Sequence, residues 1–466
     1  MRNNADEEIM MAGKQQTRVS RREFMTSAAV AAGAIAIVPS HVLGAKNGIA
    51  APSDTVNVAQ IGSGGKGRQD CILAEKAGAK ITALCDVDSL RAGRLFKAHE
   101  KTAKIFKDFR KLLDKMGSDI DAVIVSTPDH MHARITLQAM QMGKGVYCQK
   151  PLTRTVQEAR IITQAAAKYK VATQMGNQGH SSGGNQLTAE FLRAGAIGTV
   201  REVHIWTDRP IKWWPQGMAA PTEKQPPPDS LDWDLWLGVA PQRAYHKSYL
   251  PFVWRGWVGF GTGALGDIAC HSMDSPFFCL GLGAPSSVKA TCSKFNKFSF
   301  PNWSIIEYKF PAVGDRQAVK MVWYDGGKMP PRPEELEKGR RWPSGGVMYV
   351  GDKGKMLGGG GGSFCQIIPE KKRSAFPKPP QTLPRLGGHY SDWLAACKGA
   401  TKDGKPIVPG SNFSYSGPLT ESVLLGNAAL YYPGEELKWD SKKMTFTNKP
   451  QADVLLTSEY RQGWKL

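Results

Sequence analysis

Three features predict an α/β chain: a doubly wound parallel sheet in front, with a second domain behind it. Short, continuously apolar runs alternate with helix-like stretches from Val56 to Met175, as buried parallel strands joined by crossover helices do. The first run ends in Gly62, Gly64 and Gly67, a G-x-G-x-x-G spacing that turns strand into helix. The second run ends at an acid, Asp86, 19 residues beyond Gly67.

Each glycine has a physical task if a dinucleotide lies here. Gly62 permits a tight turn, Gly64 with Gly65 beside it lets backbone approach a pyrophosphate, and Gly67 lets the helix from Lys66 to Ala77 pack on its strand. The phosphates would rest on that helix's N-terminus, where free N–H groups and the dipole favour anions. Ala79 to Cys85 is the second strand. A carboxylate at Asp86 would accept from the 2′- and 3′-hydroxyls of an adenosine ribose and repel a 2′-phosphate, which favours NAD. Arg91 could receive that phosphate, so NADP stays open. Phe106 to Lys115 reads as a helix or a short strand–helix piece. Asp121 to Ser126 is an apolar strand running into Thr127-Pro128-Asp129-His130-Met131-His132 and a helix to Gly143. Gly145 to Cys148 is another, ending at Gln149-Lys150-Pro151-Leu152; Thr155 to Tyr169 is an amphipathic helix and Val171 to Met175 a further strand. Ligands of such sheets gather at the carboxyl ends of the strands, where Thr127–His132 and Gln149–Pro151 both lie.

The glycine fingerprint, Thr127-Pro128-x-x-x-His132 and Lys150-Pro151 after a strand resemble the Gfo/Idh/MocA oxidoreductase family, which includes glucose–fructose oxidoreductase and inositol dehydrogenases. The likeness runs from about Val56 to the C-terminus and is most specific in the first domain. It implies a Rossmann-like dinucleotide domain over 54–180, with Gly62, Gly64, Gly65, Gly67, Asp86, Thr127, Pro128, His132, Gln149 and Lys150 at the cofactor. It implies a second, α+β domain over 181–466, a large open and mostly antiparallel sheet whose late helices (388–430) return to the first domain. In the family the lysine of a Glu-Lys-Pro motif stands beside nicotinamide and substrate, a role the match carries onto Lys150. This chain has Gln149 where the family commonly has Glu, which changes the local field. Apart from the resemblance, an ammonium beside a bound alcohol can stabilise a developing alkoxide or relay a proton. A surface lysine at a strand end is the plainer alternative.

Beyond Gly176 a helix is expected through Arg193 and an alternating strand from Val200 to Thr207. Trp213-Trp214 and Pro226-Pro227-Pro228 lie in a long insertion before Trp233-Asp234-Leu235-Trp236. Adjacent tryptophans stack on sugar rings or close a core, and Trp214 is taken as a substrate-binding candidate. Gly263 opens a helix to about Leu280 on which Asp267, His271 and Asp274 share a face. A histidine flanked by carboxylates suits general-base work, one carboxylate orienting the imidazole while the other nitrogen takes a proton; a satisfied buried histidine is the alternative. The Asp-x-x-x-His spacing resembles the inositol dehydrogenase branch, and the resemblance makes Lys150, Asp267 and His271 the catalytic and substrate-binding set. Asp274 is the orienting partner or the solvent face.

Ser286 to Phe295, Trp303 to Phe310 and Ala318 to Tyr324 read as strands and Met348 to Leu357 as a hairpin. Gly358 to Gly362 reads as a flexible loop, Phe376 to Pro384 as an extended proline-rich linker, and Tyr390 to Cys397 and Pro418 to Leu430 as helices. His389 is placed at the border of the site. His130, His132, His180 and His246 form no evident metal set, and no metal is expected.

Ahead of the first strand, Ser20-Arg21-Arg22-Glu23-Phe24-Met25 resembles a twin-arginine export signal. The 11 small and apolar residues from Ala28 to Val38 fall short of the roughly 20 of a spanning helix. Cleavage near Ala45 would remove a signal peptide of residues 1–45, leave no membrane anchor and place the protein in the periplasm or otherwise outside the cytoplasm. A chain exported folded would carry its NAD tightly bound. The net charge is +20, and five basic against four acidic residues in that segment leave nearly all of it to the body. No nucleic-acid motif accompanies it, so a solvated basic surface or attraction to acidic polysaccharide is the better reading. The eight cysteines contain no C-x-x-C and read as core residues. Together these features describe an NAD(P)-dependent oxidoreductase moving hydride between nicotinamide and a sugar, sugar derivative, glycoside or polyol, as a homo-oligomer (dimer or tetramer). The rivals are an NAD-dependent glycosidase that oxidises its sugar transiently and a non-catalytic sugar- and nucleotide-binding protein.

Overall fold

The computed structural model describes residues 55–466, so the twin-arginine stretch and the expected signal peptide lie outside the described residues. The first sheet is built of β1 (Val56–Ile61), β2 (Ala79–Cys85), β3 (Lys104–Phe106), β4 (Ala122–Val125), β5 (Gly145–Cys148) and β6 (Thr173–Met175). Its order is β3-β2-β1-β4-β5-β6, with parallel pairing throughout. The order reverses at β1, which pairs with β2 on one side and β4 on the other, and a crevice opens at the carboxyl ends of such a pair. The expected doubly wound parallel sheet is therefore present. Both β4 and β5 are wholly buried, which is why they read as unbroken apolar runs.

The crossovers are α1 (Lys66–Lys76), α2 (Ser89–Ala98), α3 (Phe109–Met116), α4 (Asp129–Gln141) and α5 (Val156–Tyr169). A capping box starts α5: the Thr155 side chain accepts from the Glu158 N–H and the Glu158 carboxylate accepts from that of Thr155.

Behind this lies α6 (Gly183–Arg193), then a sheet of nine strands in the order β13-β12-β11-β7-β10-β9-β8-β16-β17. They are β7 (Val200–Trp206), β8 (Ser287–Cys292), β9 (Ser304–Phe310), β10 (Val319–Tyr324), β11 (Gly346–Gly351), β12 (Gly354–Gly358), β13 (Cys365–Ile368), β16 (Glu436–Asp440) and β17 (Thr445–Phe446); β14 (Thr401–Lys402) and β15 (Lys405–Pro406) form a separate hairpin. Only β7 and β10 pair in parallel; the other neighbours in the nine-stranded sheet are antiparallel. The remaining helices are α7 (Trp233–Leu237), α8 (Gly263–Ser272), α9 (Asp274–Cys279), α10 (Glu370–Ala375), α11 (His389–Cys397) and α12 (Phe413–Ala429).

Two late helices rest on the first domain. Tyr390, Trp393 and Leu394 of α11 complete the apolar cluster of Val56, Val58, Leu84 and Ile124. α12 packs between α5 and α8, and Arg160 of α5 makes a two-pronged bond to Glu421, 2.7 Å at each prong. The single helix expected from Gly263 to Leu280 is broken at Met273. Pro276 has no N–H to offer the Ser272 carbonyl one turn earlier, so α8 stops there and α9 begins anew.

Candidate active site

A cleft of about 760 Å³ opens along the carboxyl ends of β1, β4 and β5. Gly62, Gly64 and Gly65 line its floor. Gly62 holds φ at +83°, and a Cβ on it would stand 2.7 Å from the Ser126 carbonyl. No side chain caps α1 at Gly65, so the helix start can meet an anion through backbone N–H groups. Gly67 works behind the cleft: a Cβ there would lie 1.7 Å from the Gly62 oxygen, so only glycine lets α1 approach the turn. Asp86 lines the cleft; its Oδ2 accepts from the N–H groups of Ser63 and Gly64, 2.8 Å each, and its Oδ1 from that of Asp88 at 3.0 Å. Burial pushes the Asp86 carboxyl above its ordinary range against the pull of these donors. Arg91 crosses the turn, its side chain occupying the space a Cβ on Gly64 or Gly65 would enter. The residues present fit a dinucleotide, whose pyrophosphate needs a floor without side chains.

Thr127, Pro128, Gln149 and Lys150 also line the cleft. His132 does not. It is buried with Nδ1 2.8 Å from the Pro151 carbonyl and Nε2 2.8 Å from that of Thr127. It ties the loop after β4 to the loop after β5, and its ring nitrogens are spent on that task instead of on a ligand.

Lys150 reaches from the first domain to α8. Its ammonium donates to the Asp267 carboxylate at 2.7 Å and to the Asp267 carbonyl at 2.7 Å. Asp267 also accepts from Arg255 Nε at 2.9 Å and from an Arg209 NH at 3.4 Å. Burial alone would raise the Asp267 carboxyl; Lys150 and Arg255 outweigh it and hold the group well below the usual carboxylate range. His271 lies one turn further on the same wall. Neither of its ring nitrogens has a hydrogen-bond partner among the described residues. Burial, aided by the Lys150 ammonium, pushes the imidazole down to about 3, so it is neutral at ordinary pH and its lone pair is open to accept a hydrogen bond.

No carboxylate orients that imidazole. Asp267 is taken by the lysine and the arginines, and Asp274, at the start of α9, is buried and turned to another histidine. It accepts from His180 Nδ1 at 2.9 Å, the Tyr415 hydroxyl at 2.7 Å and the Asn185 amide at 3.2 Å. Asp274 is thus neither the orienting partner nor a solvent-facing residue, because the break at Met273 starts it on a new helix packed against α6. Trp214 is likewise behind the site: it is buried, and its indole N–H donates to Gln216 at 3.0 Å. Its neighbour Trp213 lines the cleft instead, with the Arg209 guanidinium 3.4 Å over its ring. His389 is outside the lining, its Nε2 2.8 Å from the Met175 carbonyl and its Nδ1 2.8 Å from the Ser181 hydroxyl.

Four polar residues went unnoticed in the sequence. Arg209 sits in a turn and Arg255 in the 3-10 helix Val253–Gly256, neither within a motif, and only the tertiary fold brings them to Asp267. Asp129 lines the cleft and accepts from the Thr262 hydroxyl at 2.7 Å; burial pushes its carboxyl up to about 7. Asp70 on α1 is fully buried and collects four donors: Lys66 at 2.6 Å, Tyr390 at 2.7 Å, Ser126 at 2.8 Å and the Gln149 amide at 2.8 Å. Outside the cleft lining, Cys71, Glu75 and His99 bring one ligand atom each within 4.8 Å of the others. Burial pushes the Cys71 thiol up to about 12, and His99 Nε2 lies 2.8 Å from the Glu75 carboxylate.

Two family models match the chain: the Gfo/Idh/MocA oxidoreductase family, NAD-binding Rossmann fold, over residues 56–177, and its C-terminal alpha/beta domain over 192–320. An inositol 2-dehydrogenase of Saccharopolyspora erythraea is 32% identical over 187 residues, 39% of this chain and 54% of its own length. The chain spans between 34% and 54% of the length of the curated relatives it matches. Among solved structures, levoglucosan dehydrogenase in complex with NADH and levoglucosan matches with a TM-score of 0.54 at 16% identity, over 82% of this chain and 98% of that one. The aldose–aldose oxidoreductase of Caulobacter crescentus, complexed with glycerol, matches with a TM-score of 0.52 at 18% identity, over 83% of this chain and 100% of that one. At such identities the structures speak for the fold. The two family models, matched in order, together take in more than half of the residues, and the chain belongs to the Gfo/Idh/MocA family of oxidoreductases.

Proposed function

We propose that the protein is an NAD-dependent oxidoreductase acting on a CH–OH group of a sugar, sugar derivative or polyol. The observation that carries this reading is the meeting of Lys150, Asp267 and His271 on the wall of the cleft whose floor is the glycine turn. When bound, NAD supplies the hydride acceptor. His271, uncharged and without a partner, takes the hydroxyl proton, and the Lys150 ammonium steadies the developing alkoxide. Asp267 fixes that ammonium through both its carboxylate and its carbonyl, so its part is to position Lys150. Relatives named as inositol and levoglucosan dehydrogenases support a substrate of this class. Tight retention of the cofactor, acceptance of NADP through Arg91, assembly as a dimer or tetramer and twin-arginine export to the periplasm complete the proposal.

The test begins with native mass spectrometry of the purified protein, which should carry a dinucleotide of NAD mass. Lys150→Met should keep that dinucleotide and lose roughly 10²–10⁴-fold in kcat on any sugar the parent oxidises. Undiminished turnover by this variant would remove Lys150 from the chemistry.

A further inference from the structure

The substrate end of the cleft holds more positive charge than the proposed chemistry uses. Lys150, Arg209 and Arg255 converge on one carboxylate, Asp267, and their side chains are only 13%, 19% and 16% exposed. The other acid in the wall, Asp129, is raised by burial to about 7 and is only a partial counter-charge. Asp208, next to Arg209, is exposed and outside the lining. Asp267 Oδ1 accepts from Lys150 and from Arg255, the second Lys150 bond goes to the Asp267 carbonyl, and Oδ2 meets Arg209 only at 3.4 Å.

That leaves the arginines with donors to spare. Arg255 commits Nε to Asp267 and one NH to the Phe252 carbonyl at 3.1 Å. Among the described residues the Arg209 guanidinium has one hydrogen-bond partner, Asp267 at 3.4 Å, out of the five N–H donors it carries. Aromatic rings lie against both, Trp213 at 3.4 Å from the Arg209 guanidinium carbon and Phe252 and Trp254 at 4.2 Å each from that of Arg255. Stacking fixes the plane of a guanidinium and leaves its in-plane N–H edge for a partner. A shielded guanidinium with unused donors costs free energy until an anion completes it.

We propose that Arg209, supported by Arg255, is the recognition site for a carboxylate on the sugar, so that the substrate is an acidic sugar of the uronic or aldonic class and not a neutral one. The flat N–H fork matches the two oxygens of a planar carboxylate, and the +20 net charge draws anions toward the protein. This rests on the oxidoreductase reading of the same cleft.

The test uses the full chain with NAD and matched substrates: glucuronate against glucose, galacturonate against galactose, and glucose 6-phosphate as the phosphate arm. NADH formation is followed for the parent, Arg209→Gln and Arg209→Lys, with melting curves and dinucleotide content to confirm that each variant is folded. Each uronate should exceed its neutral sugar at least tenfold in kcat/KM. Arg209→Gln should shrink that preference below threefold, chiefly through KM, and Arg209→Lys should recover part of it. Equal use of neutral sugars, preference for the phosphate, or a preference untouched in Arg209→Gln overturns the proposal. If no sugar is oxidised, the oxidoreductase reading fails, and calorimetry with glucuronate decides the carboxylate site separately. Binding that Arg209→Gln abolishes retains it; absence of binding ends it.

Discussion

Position 149 shows how one residue type is fitted to its neighbour. The Gln149 amide donates at 2.8 Å to Asp70, a carboxylate buried without solvent contact. A glutamate there would set two carboxylates at that distance, and one would have to take a proton. Gln149→Glu is therefore expected to cost about 2–4 kcal/mol at neutral pH, measured by urea unfolding. The loss should shrink in acid and in the double variant with Asp70→Asn; strict additivity of the two changes would show that they are uncoupled. The departure at 149 was visible in the sequence, but its reason was not, because Asp70 lies 79 positions away and belongs to no motif. Lys150, Asp267 and His271 could be named because short motifs and the family resemblance carry them; Arg209 and Arg255 depend on chain paths that no motif encodes. Asp129 gives a pH prediction. Raised from 3.8 to about 7, it is neutral below that pH and charged above it, while His271, at about 3, does not titrate nearby. Crossing 7 upward adds a negative charge beside Lys150 and Arg255, so kcat/KM for an acidic sugar should fall through that range. Asp129→Asn should flatten the profile. The same raised carboxyl makes the fold most stable below its unfolded pKa and less so as pH climbs toward 7, a slope Asp129→Asn should also remove.

Elements were legible where the local pattern alone decides them. Strands β2 and β5 came out with their observed ends, since each is an apolar run stopped by a charged or polar residue at the cleft. The sequence pattern starts the last long helix at Pro418, yet α12 begins at Phe413, where Asn412 caps it by accepting from the Ser414 N–H. Strand β16 carries no strand signal of its own, being short and charged at alternate positions, although Leu437 and Trp439 are buried and it pairs with distant β8. The proline-rich stretch 376–384 read as a linker, and what it is tied to could not be read. Glu190 of α6 accepts from the N–H groups of Thr382 and Leu383, at 2.9 and 3.0 Å, and from both prongs of Arg385, at 2.8 and 2.7 Å. Arg385 beside it holds the Glu190 carboxyl down to about 2. Glu190→Gln should cost about 2 kcal/mol by loss of charged hydrogen bonds and open residues 376–384 to limited proteolysis. Because this carboxyl is depressed, the parent's advantage over the variant should stand above the unfolded carboxylate pKa and disappear as pH falls toward 2; equal proteolysis of both proteins at neutral pH would mean that the tether does not hold the segment.

At the scale of the whole molecule, the parallel sheet supplies the cleft floor and Lys150, and the second domain supplies the facing wall through α8. What holds the far end together is the last stretch of chain, which carries no recognisable pattern. Tyr460 donates its hydroxyl to Glu158 of α5 at 2.7 Å. Arg461 donates to the carbonyls of Gly238 and Asp234 at the α7 segment, 2.8 Å each. Trp464 packs on Phe109 with its ring under the Arg110 guanidinium at 4.6 Å. Trp464 also lines the cleft, as do Asp86, Asp88 and Lys107. The tail thus joins α3, α5 and the insertion around α7, and contributes Trp464 to the cleft wall. Removing residues 460–466 should lower the melting temperature and weaken NADH binding about tenfold, equivalent to about 1.4 kcal/mol. Trp464→Phe should retain most of the affinity, since an aromatic wall remains, whereas Trp464→Ala should approach the truncated protein. Fluorescence titration with NADH separates the two roles: a lower melting temperature with an unchanged Kd in the truncated protein would make the tail a clamp on the fold and take Trp464 out of the binding site.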